Sequence, residues 1–119
     1  MIHFKRLDHL LISIPPGATE AARQFYAGVL ELEEIPGSHP RGAIWFTIAD
    51  IELHVREEAG GNESSRHPAF EVADLEQAKA FLLSKKVPVT YSSEIDGRNR
   101  CFFRDPFGNR FELIEFHQR

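Results

Sequence analysis

The chain has only one cysteine, Cys101, among 119 residues. A lone thiol cannot close an intrachain disulfide, so a disulfide-stapled scaffold is excluded and a cytoplasmic, reducing setting is expected. No apolar run approaches the roughly 20 residues that a membrane-spanning helix needs, so no membrane role is expected. The apolar stretch Leu10–Ile14 follows Lys5 and Arg6 but stops at Pro15-Pro16. It is too short for a secretory core and no cleavage-site pattern follows, so no export leader is expected. Basic residues are in deficit as well. Fourteen Lys and Arg face eighteen Asp and Glu, for a net charge of −4. Nucleic acid calls for a basic face, so it is not an expected partner. Hydrophobic residues make up 42% and charged residues 27%, which suits one domain with a real core.

What is present is a repeat. The first half reads Leu7-Asp8-His9-Leu10, then a helical stretch, then Ile51-Glu52-Leu53. The second half reads Ser65-Arg66-His67-Pro68, a helical stretch, then Phe111-Glu112-Leu113. The spacing from His9 to Glu52 is 43 residues and from His67 to Glu112 it is 45. Internal repetition takes priority over other readings because it fixes the architecture. Each copy offers one imidazole and one carboxylate, and units paired about a pseudo-twofold axis could bring all four together. Two neutral imidazoles and two carboxylates suit a borderline divalent transition metal.

Residues 7–14 read as a strand ended by Pro15-Pro16-Gly17. A helix follows, with Ala22, Phe25, Tyr26, Val29 and Leu30 forming one stripe. Residues 32–35, 43–48 and 51–55 read as strands, the last two joined by a tight turn at Ala49-Asp50. Residues 57–66, with Gly60-Gly61-Asn62, form the one linker-like stretch. The order then recurs. It comprises a strand over 67–73, a helix capped by Asp74 with Gln77 three residues on, and strands over 87–91, 100–104 and 110–116. Asp105-Pro106-Phe107-Gly108-Asn109 reads as a hairpin reversal. The expected class is α+β, with two tandem βαβββ modules (about 4–58 and 66–117, one domain over 1–119) and a curved, mostly antiparallel sheet. Helices would cover one face and leave the other as an open cup.

Asp8-His9, Phe25-Tyr26-x-x-Val29-Leu30 and Asp105-Pro106-Phe107-Gly108-Asn109-Arg110-Phe111-Glu112 resemble signatures of the vicinal oxygen chelate superfamily. That superfamily includes glyoxalase I, fosfomycin-resistance thiol transferases, bleomycin-resistance proteins, methylmalonyl-CoA epimerase and extradiol dioxygenases. The resemblance covers almost the whole chain. It implies a metal-centred cleft with His9, Glu52, His67 and Glu112 as ligands of Zn, Ni, Co, Mn or Fe, and a homodimer. It also implies a metal-dependent lyase, isomerase or transferase acting on a small oxygen-rich substrate, with Glu112 or Glu52 as the catalytic base. The alternative is metal-free sequestration of a small molecule, as in bleomycin-resistance proteins, although those generally lack the ligand set.

Strand periodicity examines these positions independently. Residues i and i+2 share a face, so Glu52 and His54 point together, whereas Glu115 points away from Glu112. His54 could therefore replace or supplement Glu52, or contact substrate. Arg100 and Phe102 share a face, where Arg100 could meet an anionic group; Trp45 could wall the same site or pack in the core. The strand that carries hydroxyl side chains in fosfomycin-resistance proteins has Arg100 and Phe102 here, which argues against that activity. Cys101 should face the helix as a small core residue. Lys79, Lys85 and Lys86 read as a solvated face.

Overall fold

The computed structural model describes residues 1–92 and 94–117. The chain divides into two compact units, Met1–Gly60 and Gly61–Arg119. Among the described residues no helix is long and apolar enough to cross a membrane.

In the first unit, β1 (His9–Ile14) leads through α1 (Thr19–Arg23) to β2 (Glu33–Ile35), β3 (Ile44–Ile48) and β4 (Ile51–Glu57). The sheet order is β1-β4-β3-β2. β1 runs parallel to β4, with His9 opposite Glu52, while β3 is antiparallel to both β2 and β4. Alternation then sorts the side chains. Ile14, Phe46, Leu53 and Val55 are buried on one face, and Tyr26 of the helical segment packs a ring centroid 5.7 Å from Phe46. The other face carries His9, Leu11, Trp45, Thr47, Glu52 and His54, and Leu11 is 50% exposed there.

The first helix departs from its expected regular stripe. After α1 the chain widens into π-helical turns over Gln24–Val29, with Leu30 N–H donating to the Phe25 carbonyl at 2.9 Å. The altered turn buries Phe25 and Tyr26 beside Ala22 but leaves Val29 and Leu30 only half-buried. The β3–β4 turn falls at Ala49-Asp50, where Ala49 takes φ 51°, a left-handed conformation unusual for a residue with a Cβ.

The second unit repeats the plan with one strand reduced. β5 (Ala69–Glu71), α2 (Leu75–Ser84), β6 (Arg98–Arg104) and β7 (Arg110–Phe116) give the order β5-β7-β6. The strand expected over 87–91 does not form. A single antiparallel bridge, Thr90 to Phe102, occupies the place that β2 takes in the first unit. Pro88 has no N–H to donate, so pairing cannot extend toward it as a regular ladder. The strand expected over 67–73 also contracts, leaving His67 two residues ahead of β5. Asp74 accepts from Gln77 N–H at 3.0 Å at the start of α2, and the Glu115 carboxylate accepts from Leu75 N–H at 2.7 Å. Glu115 thus serves the helix side. Cys101 is fully buried, and burial pushes its thiol up. Lys79 is not simply solvated: it pairs with Glu76 at 2.7 Å and lies over the Tyr91 ring, while Lys85 and Lys86 are exposed.

The loop between β6 and β7 is built around buried Asp105. Its Oδ1 accepts from Phe107 N–H at 2.9 Å and Asn109 N–H at 2.8 Å, while Oδ2 accepts from Asn109 Nδ2 at 2.8 Å. Gly108 has φ 95°, and a Cβ there would also lie 3.5 Å from the Asn62 backbone. The sequence Asp-Pro-Phe-Gly-Asn therefore fixes the reversal that sets β7, and with it Glu112.

Candidate metal and substrate site

Each unit carries its own histidine–carboxylate arrangement. In the first, His9 and Glu52 are register partners on the adjacent parallel strands β1 and β4. His9 Nδ1 lies 2.9 Å from Asp8 Oδ2. A carboxylate can only accept, so in the neutral imidazole the hydrogen is on Nδ1 and the Nε2 lone pair is left for a cation. That hydrogen bond, foremost, holds the Asp8 carboxyl below its ordinary range, helped by the charges of His9 and Arg6. Glu52 Oε1 accepts from His54 Nε2 at 2.9 Å.

His54 belongs to a ladder of flat rings across the sheet. His39 stacks on Trp45 at 4.0 Å between centroids, Trp45 on His54 at 3.8 Å, and His54 on His9 at 4.1 Å. Trp45 is therefore half-buried on the open face rather than in the core. His39 is fixed by its Nε2 donating to the Ile35 carbonyl at 3.0 Å.

In the second unit the matching arrangement is shifted. The register partner of Glu112 is Ala69, not His67. His67 sits two residues earlier, which accounts for the longer interval in the second copy. An offset of two preserves the face, and His67 Nε2 comes within 2.8 Å of Glu112 Oε1. His67 Nδ1 lies 2.7 Å from the Ser65 carbonyl oxygen and 3.2 Å from Nη1 of Arg110. The Nε2–Oε1 contact is one that a divalent cation could take over. Glu112 is 5% exposed, and its Oε2 accepts from Arg100 at 3.3 Å. Arg100, expected from the sequence to meet an anionic group, is thus engaged with Glu112.

Phe102 is buried on the same face, with the Arg110 guanidinium 3.9 Å over its ring and His67 meeting it edge-on at 5.1 Å. Among the described residues, no three His, Cys, Asp or Glu side chains are grouped so as to hold a metal ion. What is paired is His67 with Glu112, and Glu52 with His54. By donor type, each unit supplies one imidazole and one carboxylate of the kinds that divalent cations take.

Three contributors went unassigned in the sequence: His39, Arg110 and the partnership of Asp8 with His9. Asp8 could have been found from its adjacency to His9. His39 lies in an aperiodic loop and carries no such signal.

Comparison with known proteins identifies the family. The family model of the Glyoxalase/Bleomycin resistance protein/Dioxygenase superfamily matches residues 6–113. The chain belongs to that superfamily. A glyoxalase family protein from Bacillus anthracis is 32% identical, with 98% of each chain covered and a TM-score of 0.87. A glyoxalase family protein from Enterococcus faecalis is 25% identical over 94% of this chain and 98% of its own, with a TM-score of 0.77. The fold also matches TnmS3, an antibiotic binding protein from Streptomyces sp. CB03234, at 20% identity and a TM-score of 0.74, covering 96% of this chain and 99% of that one. None of the curated proteins matches the chain.

Proposed function

We propose that this protein is a metal-dependent enzyme of the glyoxalase type, a lyase, isomerase or transferase for a small oxygen-rich substrate. The observation that carries the reading is the repeated pair: His9 in register with Glu52, and His67 within 2.8 Å of Glu112. His9 and His67 through Nε2, with Glu52 and Glu112, would hold a divalent Zn, Ni, Co, Mn or Fe ion. When bound, such an ion supplies Lewis acidity toward vicinal oxygens.

The two carboxylates suit different duties. Glu112 is held by two donors, His67 and Arg100, and is the fixed one. Among the described residues Glu52 has one donor, His54, and its side chain is 39% exposed. Glu52 is therefore the better base, being the carboxylate freer to leave the metal and receive a proton from a carbon acid. A base of this kind typically contributes about 10²- to 10⁴-fold in rate. Arg100, with Phe102 beside it, would give an anionic substrate group its counter-charge next to Glu112. Arg100→Met should then weaken an anionic ligand more than tenfold, or about 2 kcal/mol at the low end for a desolvated charge partner, without loss of metal.

Metal analysis and native mass spectrometry of protein purified without chelator test the central claim. Stoichiometric metal is expected. Binding that survives combined His9→Ala and Glu112→Ala would refute the ligand assignment.

A second reading, a metal-free binder of small molecules, is favoured by the four-ring ladder and exposed Leu11 on one face, a surface suited to a flat apolar guest. Protein that stays metal-free under all loading conditions but binds such guests would support it. In either case a homodimer is proposed, because β1 is a sheet edge flanked by exposed Leu7 and Leu11. Light scattering that gives a monomer mass at all concentrations would reject it.

A further inference from the structure

His54 has no role in the ligand set, yet it is the most constrained imidazole of the first unit. It is 8% exposed, with Trp45 stacked on it at 3.8 Å and 3° between planes. His9 stacks on it at 4.1 Å and 16°. Its ring therefore cannot swing about χ2 without breaking both contacts. The outer part of the ladder is anchored too, since His39 stacks on Trp45 and is tied to the Ile35 carbonyl. The consequence falls on Glu52. A glutamate has three side-chain torsions, and alone on an open sheet face it would sample many rotamers. Here its Oε1 is pinned by the Nε2 hydrogen of a ring that cannot turn.

We infer that His54 is a positioning residue for Glu52: the ring ladder immobilises His54, and its N–H holds Oε1 so that Oε2 is presented to the metal and substrate. The inference rests on the proposed metal site, and it predicts that His54 acts only through Glu52. Loss of a group that orients a ligand typically costs about 10- to 100-fold in metal affinity.

The test is a double-mutant cycle on the full chain with Co²⁺ as probe, reading dissociation constant and visible absorption spectrum. His54→Phe keeps a flat ring in the stack and removes the N–H. It should weaken Co²⁺ binding about 10- to 100-fold while far-UV circular dichroism stays unchanged. Glu52→Gln should weaken binding at least as much, and His54→Phe added to it should cost no more than about twofold further, because the two act as one unit. His54→Gln, which restores an N–H donor, should recover most of the affinity. His54→Met answers the same question if the phenyl ring does not fold. Unchanged affinity in His54→Phe, or fully additive losses in the double variant, would overturn the inference while leaving the metal site standing. Wild-type protein that binds no Co²⁺ would overturn both.

Discussion

Replacing Glu112 tests the second unit most directly. Its carboxylate is almost wholly buried and holds two donors, His67 at 2.8 Å and Arg100 at 3.3 Å. Glu112→Ala removes the charge that neutralises a guanidinium with only 15% of its side chain exposed. Breaking one side of a buried pair costs roughly 3–5 kcal/mol, and the long Arg100 contact places this pair near about 3 kcal/mol. Glu112→Gln keeps volume and an acceptor, and should cost about 1–2 kcal/mol. At roughly 4 °C per kcal/mol for a domain of this size, the alanine variant should melt about 10 °C lower. Urea unfolding at pH 7 with chelator present reads these values without metal adding stability by mass action. Arg100→Met should cost less in the Glu112→Ala background than in wild type, because the ion pair between them is already gone. Losses that add to within about 0.5 kcal/mol, or a Glu112→Ala variant as stable as wild type, would refute the pairing.

Ala49→Gly should stabilise the β3–β4 hairpin by up to about 1 kcal/mol, because glycine takes the left-handed conformation without a Cβ penalty; urea midpoints report it. The hydrogen bond from Thr19, first among its causes, lowers the Glu57 carboxyl below its ordinary range. The stabilisation this gives is present above the ordinary glutamate value and is lost as pH falls through the lowered one. Thr19→Val should raise the Glu57 carboxyl toward its ordinary value in a carboxyl-carbon NMR titration; an unchanged midpoint would refute the contact. Cys101, fully buried and with its thiol pushed up, should resist thiol reagents at pH 8 in the folded protein and react fully in denaturant.

Short-range order was legible along the chain. The repeat, the period of two in the strands and the tight turn at Ala49-Asp50 together fix which residues face each other in the first hairpin. Counting outward from that turn puts Thr47 opposite Glu52 and Trp45 opposite His54, as the structure has them. The Asp105–Asn109 loop was equally readable, because proline and glycine restrict φ locally and an aspartate can satisfy nearby N–H groups. These features depend on bonds between near neighbours, so the amino-acid order is a sufficient ruler.

The parallel pairings had no such ruler. β1 meets β4, and β5 meets β7, only after a helix and further strands intervene, so their registers depend on how each helix packs. That is why His9 is a register partner of Glu52 while His67 stands two residues ahead of the partner of Glu112. Tertiary packing also widened the first helix into π-helical turns and brought His39 from an aperiodic loop onto Trp45. It set Arg100 on the Glu112 carboxylate as well. The sequence determined which residues lie on the open faces, because strand alternation is a local property of the backbone. Only the folded chain decided which of them touch, because those contacts depend on register and ring stacking across segments far apart in the chain.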